Sequence, residues 1–371
     1  MYSLGEHSAP KELRATGKDA KGADLYGSLM CGEKRSKGEE SEVEPSRAQG
    51  TGGVVTGNES NPQRPNDAEP DSKRHKPTPD APAASKARFA ISAAASEDKG
   101  RRNEMEDVWV ITNDARGDTK ATCRCMYAAV FDGHGGRRAA DFAAQHLHAN
   151  VLAAGMLSSV DEAGVAGVGT SKKAILEGFK RTDTALLEAS TAANWQDGAT
   201  AVCMWVVGNV VHLANVGDAK AVLARKQLPP TGGGTAPPSL RAITLSNEHK
   251  AIFGPERSRI EKAGGVVTDG RLQGRVEVSR SFGDRAFKRV GMSAVPDLRT
   301  FERKPQDAFV LMGCDGFWGV FGPQDAIDFV HKYLEEGRTA KAICNRILNE
   351  AIRERKCKDN CTVLLVVFTS N

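Results

Sequence analysis

Three strand-like segments follow one another in this sequence with no helical pattern between them, at residues 88–95, 108–114 and 125–131. Consecutive strands without an intervening helix are expected to pair antiparallel, because a parallel pair needs a long crossover connection. The third segment is a continuous apolar run, which is typical of a strand that is buried on both faces. The sequence therefore predicts an antiparallel sheet at the start of its folded part.

The remaining periodicity predicts a second group of strands and several helices. Helical spacing is seen at 137–152, 171–189, 257–262, 323–334 and 339–353, and strand patterns at 201–207, 210–216, 220–225, 240–245, 309–314 and 361–368. Gly208-Asn209 predicts a tight hairpin turn between two of these strands. Strand groups separated by helix pairs predict an α+β fold, in which two antiparallel sheets pack as a central sandwich flanked by α-helices.

The first 85 residues differ in composition from the rest of the chain. Eight of the sixteen prolines precede residue 83, and Tyr2 and Tyr26 are the aromatic residues before Phe89. Such a segment cannot bury enough apolar surface to offset its conformational entropy. We therefore expect residues 1–85 to form a disordered N-terminal extension and residues 86–371 to form one folded domain.

Charge and targeting patterns limit the possible partners and locations. Residues 1–88 hold fourteen basic and fourteen acidic residues, so the formal net charge of +4 belongs to the folded part. This excess suits an anionic phosphorylated substrate but is too small to indicate nucleic-acid binding. The sequence lacks both an apolar signal core and an 18-residue apolar stretch. We expect a protein of the cytoplasm, the nucleus or both, neither secreted nor membrane-bound, whose eight cysteines are reduced thiols.

A short basic segment in the extension, Lys73-Arg74-His75-Lys76, is similar to a nuclear import signal, although such a segment is more often solvated charge. The adjacent Thr78-Pro79 is a candidate phosphorylation site. Both are hypotheses about the extension alone.

Acidic residues recur where the predicted strands begin or end. They are Glu106, Asp107, Asp132, Asp218, Asp315 and Asp359. Exposed strand ends explain each of them singly, but not why so many are followed or preceded by glycine or asparagine. If they converge on one cleft, their carboxylates would repel one another unless hard divalent cations held them together.

The segment Asp132-Gly133-His134-Gly135-Gly136 ends the buried run 125–131. It would bring a carboxylate, a bare backbone and an imidazole to one edge of the sheet. Glycines allow main-chain groups to approach an ion or a phosphate closely. Taken alone such a segment is more often a tight turn, and the other acidic strand ends favour a site.

A set of motifs in a fixed order resembles those of the metal-dependent protein serine/threonine phosphatases of type 2C. The motifs are RNEMED (102–107), VFDGHGG (130–136), DGATA (197–201), NVGDAKAVL (215–223), EVSRSFGD (277–284), VPD (295–297), CDGFW (314–318) and DNCTVLLV (359–366). They extend over residues 88–369. The resemblance implies hydrolysis of phosphoserine and phosphothreonine.

The resemblance also implies a binuclear metal centre with two Mg²⁺ or Mn²⁺ ions per subunit. Asp132 would bridge the ions, with Glu106 and the Gly133 carbonyl on one ion and Asp315 and Asp359 on the other. Two such ions can activate a bridging water for in-line displacement, so no covalent phosphoenzyme is required.

Four further residues receive roles from the resemblance. Asp107 would orient the attacking water, and Arg102 would bind the substrate phosphate, because a guanidinium group matches two phosphoryl oxygens. His134 would protonate the departing serine or threonine oxygen. The alternative for His134 is a hydrogen-bonding turn residue. For His249, where the family has its flap, we expect a structural or substrate-contacting role.

Two positions depart from the family pattern. The family usually has Asp four residues after the Asp-Gly of CDGFW, where this chain has Gly319. Asp218 and Asp315 would then hold at most a weak third ion. Lys250 is followed by Ala251 where Pro is usual, so substrate preference cannot be transferred from the family.

We expect phosphorylated proteins as substrates, a kinase as a candidate partner, no nucleic acid and no membrane, and a monomer. One rival is a catalytically weak module of the same fold that binds a phosphoprotein or a kinase. A complete set of metal ligands argues against it. The other is a metal-dependent phosphodiesterase or nuclease, which would show a basic groove with aromatic stacking positions, whereas aromatic residues make up 6% of this chain.

Overall fold

A computed structural model describes residues 89–117, 123–158, 168–227 and 239–370. The predicted disordered extension, with its basic segment and Thr78-Pro79, lies outside the described residues. None of the helices in the described ranges combines the length and the apolar composition that a bilayer crossing requires.

The elements follow the predicted order. The strands are β1 (Phe89–Asp98), β2 (Val108–Thr112), β3 (Cys125–His134), β4 (Gly198–Val207), β5 (Val210–Val216), β6 (Lys220–Lys226), β7 (Leu240–Thr244), β8 (Val267–Thr268), β9 (Arg271–Leu272), β10 (Phe282–Gly283), β11 (Asp297–Glu302), β12 (Asp307–Gly313) and β13 (Cys361–Ser370). The helices are α1 (Arg138–Ala153), α2 (Val168–Ala192), α3 (Gly254–Lys262), α4 (Asp315–Trp318), α5 (Pro323–Glu335) and α6 (Ala340–Asn349). A 3₁₀ helix spans Arg285–Val290, and a π-helical turn at Glu350–Glu354 continues α6.

The strands form two antiparallel sheets. The first has the order β1-β13-β12-β6-β7, and the second has the order β11-β5-β4-β3-β2 with β10 beside β4. In the second sheet Val207 pairs with Val210, which confirms the predicted hairpin at Gly208-Asn209.

Alternation along β3 shows how the sheets pack. Met126 and Val130 face a core shared with the first sheet, whereas Tyr127 and Phe131 join a second core beneath α1 and α2. On the other side of the sandwich, α5 packs against β7 and α6 packs against β1 and β13. The predicted α+β sandwich with helices outside is confirmed, and burial of both faces explains why β3 is a continuous apolar run.

Residues 250–292, hereafter the flap segment, build a small separate core. Ala251, Ile260, Leu272, Val278 and Met292 are buried together there. The segment contains α3 and the short β8–β9 hairpin. This apolar cluster gives most of the segment a defined structure of its own, while β10 within it joins the second sheet beside β4.

Candidate metal centre

The register of the two sheets brings the acidic strand ends together. Val108 of β2 pairs with Phe131 of β3, so Asp107 and Asp132 lie at the same edge of the second sheet. In the first sheet β12 and β13 pair antiparallel, so the residues after β12 and before β13 also share an edge. The Asp315 backbone N–H, 3.5 Å from Asp132 Oδ2, connects the two edges.

One open cavity of about 650 Å³ lies at this junction. The predicted site residues that line it are Arg102, Glu106, Asp132, Gly133, His134, Asp218, Asp315 and Asp359. Asp107 is fully buried and contributes from behind the cavity wall. Residues from both sheets and from the loop before β2 thus converge as the sequence predicts, while their roles remain predictions.

Asp132 lies at the centre of the acidic residues that line the cavity. Asp132 belongs to two clusters of candidate metal-ligand atoms, and within each cluster the atoms lie no more than 4.8 Å from one another. One cluster also contains Asp107 and Cys314, and the other contains Asp218 and Asp315. Burial raises the pKa of Asp132 well above its ordinary value, and the charges of Asp107, Asp315 and Asp218 raise it further. The site therefore concentrates negative charge that a cation would neutralise.

The buried carboxylate of Asp107 lies beside Thr362 and Cys314. The Thr362 hydroxyl donates a 2.6 Å hydrogen bond to Asp107 Oδ2, while Oδ1 has no hydrogen-bond partner among the described residues. Burial raises the pKa of Asp107 to about 6, and the bond from Thr362 opposes part of that shift. A buried, half-satisfied carboxylate is suited to accept a hydrogen bond from a bound water.

Gly133 allows the strand end to meet the loop before β2. A Cβ on Gly133 would lie 2.4 Å from the Glu106 carbonyl oxygen, closer than any side chain could be placed. The absence of a side chain therefore allows the main chains of Glu106 and Gly133 to approach each other.

His134 is fixed by a residue that the sequence analysis assigned no role. Its Nε2 lies 2.8 Å from Oδ2 of Asp284, whose side chain is 3% exposed. Burial disfavours the imidazolium, but the Asp284 charge and hydrogen bond outweigh it and raise the pKa of His134. The pairing orients the ring and leaves Nδ1 as the other nitrogen available to a substrate.

Arg102 pairs with a predicted metal ligand. Its Nη2 donates to Asp359 Oδ2 at 2.6 Å, and both side chains are substantially exposed. The hydrogen bond and charge of Asp359 raise the pKa of Arg102. The guanidinium group lies at the cavity edge and can still offer donors to a phosphate.

Lys250 lies beside the predicted third-ion ligands. Its Nζ is 3.4 Å from Asp218 Oδ2 and 3.0 Å from Glu277 Oε1. Burial and the charge of Asp315 raise the pKa of Asp218 to about 6, with Lys250 opposing the shift. Gly319 is exposed and supplies no side-chain ligand. An ammonium group thus already partly neutralises the place where a third ion would bind.

His249 is buried and takes no part in lining the cavity. Its Nδ1 accepts from the Gly217 backbone N–H at 3.2 Å, and its Nε2 lies 3.3 Å from Asp297 Oδ2. Of the two predicted alternatives, this placement favours the structural role.

Several residues that line or support the cavity were not predicted from the sequence. Asn360 donates to the carbonyls of Lys99 and Glu104 and accepts from the Glu106 N–H, so it ties the loop before β2 to the turn before β13. Its position directly after Asp359 was the available signal. Flap residues also line the cavity, namely Arg271, Arg275, Val276, Glu277 and Val278.

The donor set fits hard divalent cations. Asp132, Asp315, Asp359, Glu106 and the Gly133 carbonyl all offer oxygen atoms, which Mg²⁺ and Mn²⁺ prefer to nitrogen or sulfur. Bound cations would offset the repulsion from Asp107, Asp315 and Asp218 that, together with burial, raises the pKa of Asp132. The site therefore has the chemistry of a centre for hard divalent cations.

Comparison with known proteins gives the family. The model of the family described as protein phosphatase 2C matches residues 91–361. A probable protein phosphatase 2C 67 of Oryza sativa is 54% identical over 282 residues, covering 75% of this chain and 76% of that protein. Human integrin-linked kinase-associated serine/threonine phosphatase 2C is 40% identical over 299 residues, covering 75% and 72%. The chain belongs to the protein phosphatase 2C family.

Solved structures share the fold. A serine-threonine phosphatase 2C from Toxoplasma gondii superposes with a TM-score of 0.65 at 21% identity, covering 78% of this chain and 97% of that one. A C. elegans sex determining protein gives a TM-score of 0.61 at 24% identity, covering 75% and 64%. With the family established, the chain is a hydrolase, a protein serine/threonine phosphatase of a metal-dependent family.

Proposed function

We propose that this phosphatase hydrolyses phosphoserine and phosphothreonine with a binuclear Mg²⁺ or Mn²⁺ centre. The observation that carries the proposal is the position of Asp132, which lies within one group with Asp107 and Cys314 and within another with Asp218 and Asp315, in a cavity that Glu106, Gly133 and Asp359 also line. Glu106 and the Gly133 carbonyl would be further ligands of one ion, and Asp315 and Asp359 would be further ligands of the other. Bound ions of this kind supply Lewis acidity that activates water and offsets phosphoryl charge.

The side chains around the cavity provide the remaining chemistry. Arg102 binds phosphoryl oxygens at the cavity edge, and Asp107 uses its unpaired Oδ1 to orient the attacking water. His134 donates a proton from Nδ1 to the departing oxygen, while Asp284 holds Nε2. No residue needs to form a covalent bond to phosphorus.

Two ions are sufficient in this proposal. A third would share Asp218 and Asp315 with no carboxylate at Gly319, and the Lys250 ammonium group, 3.4 Å from Asp218, would compete with it. We therefore expect any third ion to bind weakly.

The test is Mn²⁺-dependent, chelator-sensitive release of phosphate from a phosphothreonine peptide by the whole chain. Asp132→Ala should lose on the order of 10³-fold in turnover, because both ions depend on this carboxylate. Glu188→Ala, an exposed acidic position on α2, is the matched control and should retain wild-type turnover. If folded Asp132→Ala kept about a tenth of wild-type turnover at saturating Mn²⁺, the binuclear proposal would be wrong.

The remaining expectations are also proposals. The human relative's name links that protein to integrin-linked kinase, and we propose association with a kinase for this chain as well. We further propose a monomer in the cytoplasm, the nucleus or both. Light scattering of the purified chain and imaging of a tagged chain would test the last two points.

A further inference from the structure

The flap segment contributes positive charge to the cavity that the proposed chemistry does not use. Arg271 and Arg275 both line the cavity, together with Glu277. Arg102 lines it as well and is already paired with Asp359. A site that only binds one phosphate and two ions does not require additional guanidinium groups in the flap segment.

Charge pairing distinguishes Arg275 from its neighbours. Glu277 is neutralised by Lys250 at 3.0 Å and approached by Arg271 at 3.4 Å. Arg275 is exposed and forms no ion pair with the described residues, and its guanidinium group lies 5.7 Å from the centre of the Phe287 ring. It therefore offers an uncompensated cation to whatever occupies the cavity.

Backbone hydrogen bonds fix the position of Arg275. Its N–H donates to the Leu272 carbonyl at 3.0 Å, and the Leu272 N–H donates to the Val276 carbonyl at 2.7 Å. Arg271 Nη1 donates to the Arg275 carbonyl at 3.2 Å. These bonds fix the main chain of the turn, so the Arg275 side chain extends towards the cavity from a defined backbone position.

The cavity has room for more than one phosphate group. Its volume of about 650 Å³ is within the range of roughly 300–1,000 Å³ that accommodates a drug-sized ligand. A phosphorylated residue and one neighbouring side chain of a peptide can therefore enter together.

We propose that Arg275, assisted by Arg271, is a second anion-binding site that selects protein substrates with an acidic group close to the phosphorylated residue. The inference rests on the proposed phosphatase function and specifies its substrate class. The shared chemistry is an anionic oxygen group, either a carboxylate or a second phosphate. A guanidinium group binds both through charge-assisted hydrogen bonds.

The experiment compares phosphothreonine peptides that differ at one neighbouring position scanned along the peptide. That position carries Ala, Asp, Lys or phosphonomethylalanine, a phosphate mimic that cannot be hydrolysed. For the wild type, the best acidic peptide should show a KM about tenfold below that of the Ala peptide, with similar kcat. The Asp peptide tests a carboxylate as the bound group, and the phosphonate peptide tests a second phosphate. A lower KM with either peptide supports the site.

Arg275→Ala should reduce the ratio of kcat/KM for acidic over neutral peptide to about one, and Arg275→Glu should invert the preference towards the Lys peptide. Arg289→Ala is the matched control, because Arg289 is an exposed flap arginine that does not line the cavity. Its acidic-to-neutral ratio should equal that of the wild type. Melting curves of all variants establish that they are folded.

Two results would overturn the inference. Either the wild type shows no acidic preference at any position, or Arg275→Ala keeps the wild-type ratio. Failure of the proposed function is distinguishable, since the wild type would then release phosphate neither from the neutral peptide nor from an aryl phosphate.

Discussion

Gly198 controls whether His134 and Asp284 can pair. A Cβ at this position would lie 2.3 Å from His134 Nε2 and 2.4 Å from Asp284 Oδ2. Both distances are far below van der Waals contact, so a side chain here would separate the two groups. The proton donor of the proposed mechanism thus depends on a glycine that itself has no chemistry.

We predict that Gly198→Ala lowers turnover of a phosphothreonine peptide by about 10²-fold, because a mispositioned His134 no longer protonates the leaving oxygen. Turnover of an aryl phosphate should fall much less, since a phenolate leaves without a proton. Steady-state kinetics on the two substrates measure the difference. Gly169→Ala, where a Cβ meets open space, is the control. If turnover of the two substrates fell by the same factor, His134 would not be the general acid.

The sequence was sufficient to predict the carboxylates of the site but not the groups that hold them. Asp132 lies near the end of β3 and Asp315 just beyond β12, so the strand patterns and the family motifs together mark both positions. Asp284 lies in an irregular stretch, 150 positions from its partner His134. No local pattern reports such a pairing, because it depends on the three-dimensional contact between β10 and β4.

At the scale of elements, a buried carboxylate of α3, that of Glu256, bonds α3 to later residues of the flap segment. Glu256 accepts from Arg280 at 2.6 Å, from Arg259 at 2.7 Å and from the Ser279 hydroxyl at 2.6 Å. Burial disfavours the charged carboxylate, but these three partners outweigh burial and lower the pKa of Glu256 to about 2. The position of the cavity-lining flap residues therefore depends partly on this network.

Glu256→Gln should lower the free energy of unfolding by about 3 kcal/mol at pH 7, because it leaves two arginines without their buried partner. Glu261→Gln on the same helix breaks only an exposed pair with Arg257 and should cost about 0.5 kcal/mol or less. Denaturant titration measures both. Equal costs for the two variants would show that the network contributes no more than a surface ion pair.

The same variant has a pH signature. The folded-state pKa of Glu256 is lowered from 4.5 to about 2, so its stabilisation is present above pH 4.5 and is lost as the pH falls towards 2. The stability difference between wild type and Glu256→Gln should accordingly shrink between pH 5 and pH 3, measured at matched ionic strength. If the stability difference stayed constant between pH 5 and pH 3, Glu256 would not be the ionised carboxylate that we assign.

Elements with strong apolar periodicity were predicted from the sequence, and weakly patterned ones were not. β11 was missed because it is an edge strand whose residues are mostly half-buried and polar, so neither alternation nor an apolar run marks it. The predicted single helix at 339–353 is instead α6 followed by a π-helical turn. The spacing of apolar residues does not show where the hydrogen bonds change from the α-helical to the π-helical pattern.

For the whole molecule, the site joins the two sheets. Asp132 lies near the end of β3 in one sheet, whereas Asp315 follows β12 and Asp359 precedes β13 in the other. Ions bound between them would connect the two halves of the sandwich, and their removal would leave like charges facing one another.

We therefore predict that Mn²⁺ at about 100 times its dissociation constant raises the melting temperature by roughly 5 °C or more. Asp132→Ala should melt at the same temperature with Mn²⁺ and with chelator. Scanning calorimetry checks both. An equal Mn²⁺ shift in the variant would mean that the ions bind elsewhere.

The pairing of β1 with β13 bears on how the chain is made. All ten residues of β1 pair with β13, the last strand that the structure describes, and β13 also pairs with β12 at the middle of the sheet. A ribosome adding about 5–20 residues per second exposes β1 for on the order of ten seconds or more before its partner exists. The first sheet can close only after β13 has been synthesised, so the emerging chain has to keep β1 from pairing with other edges until then.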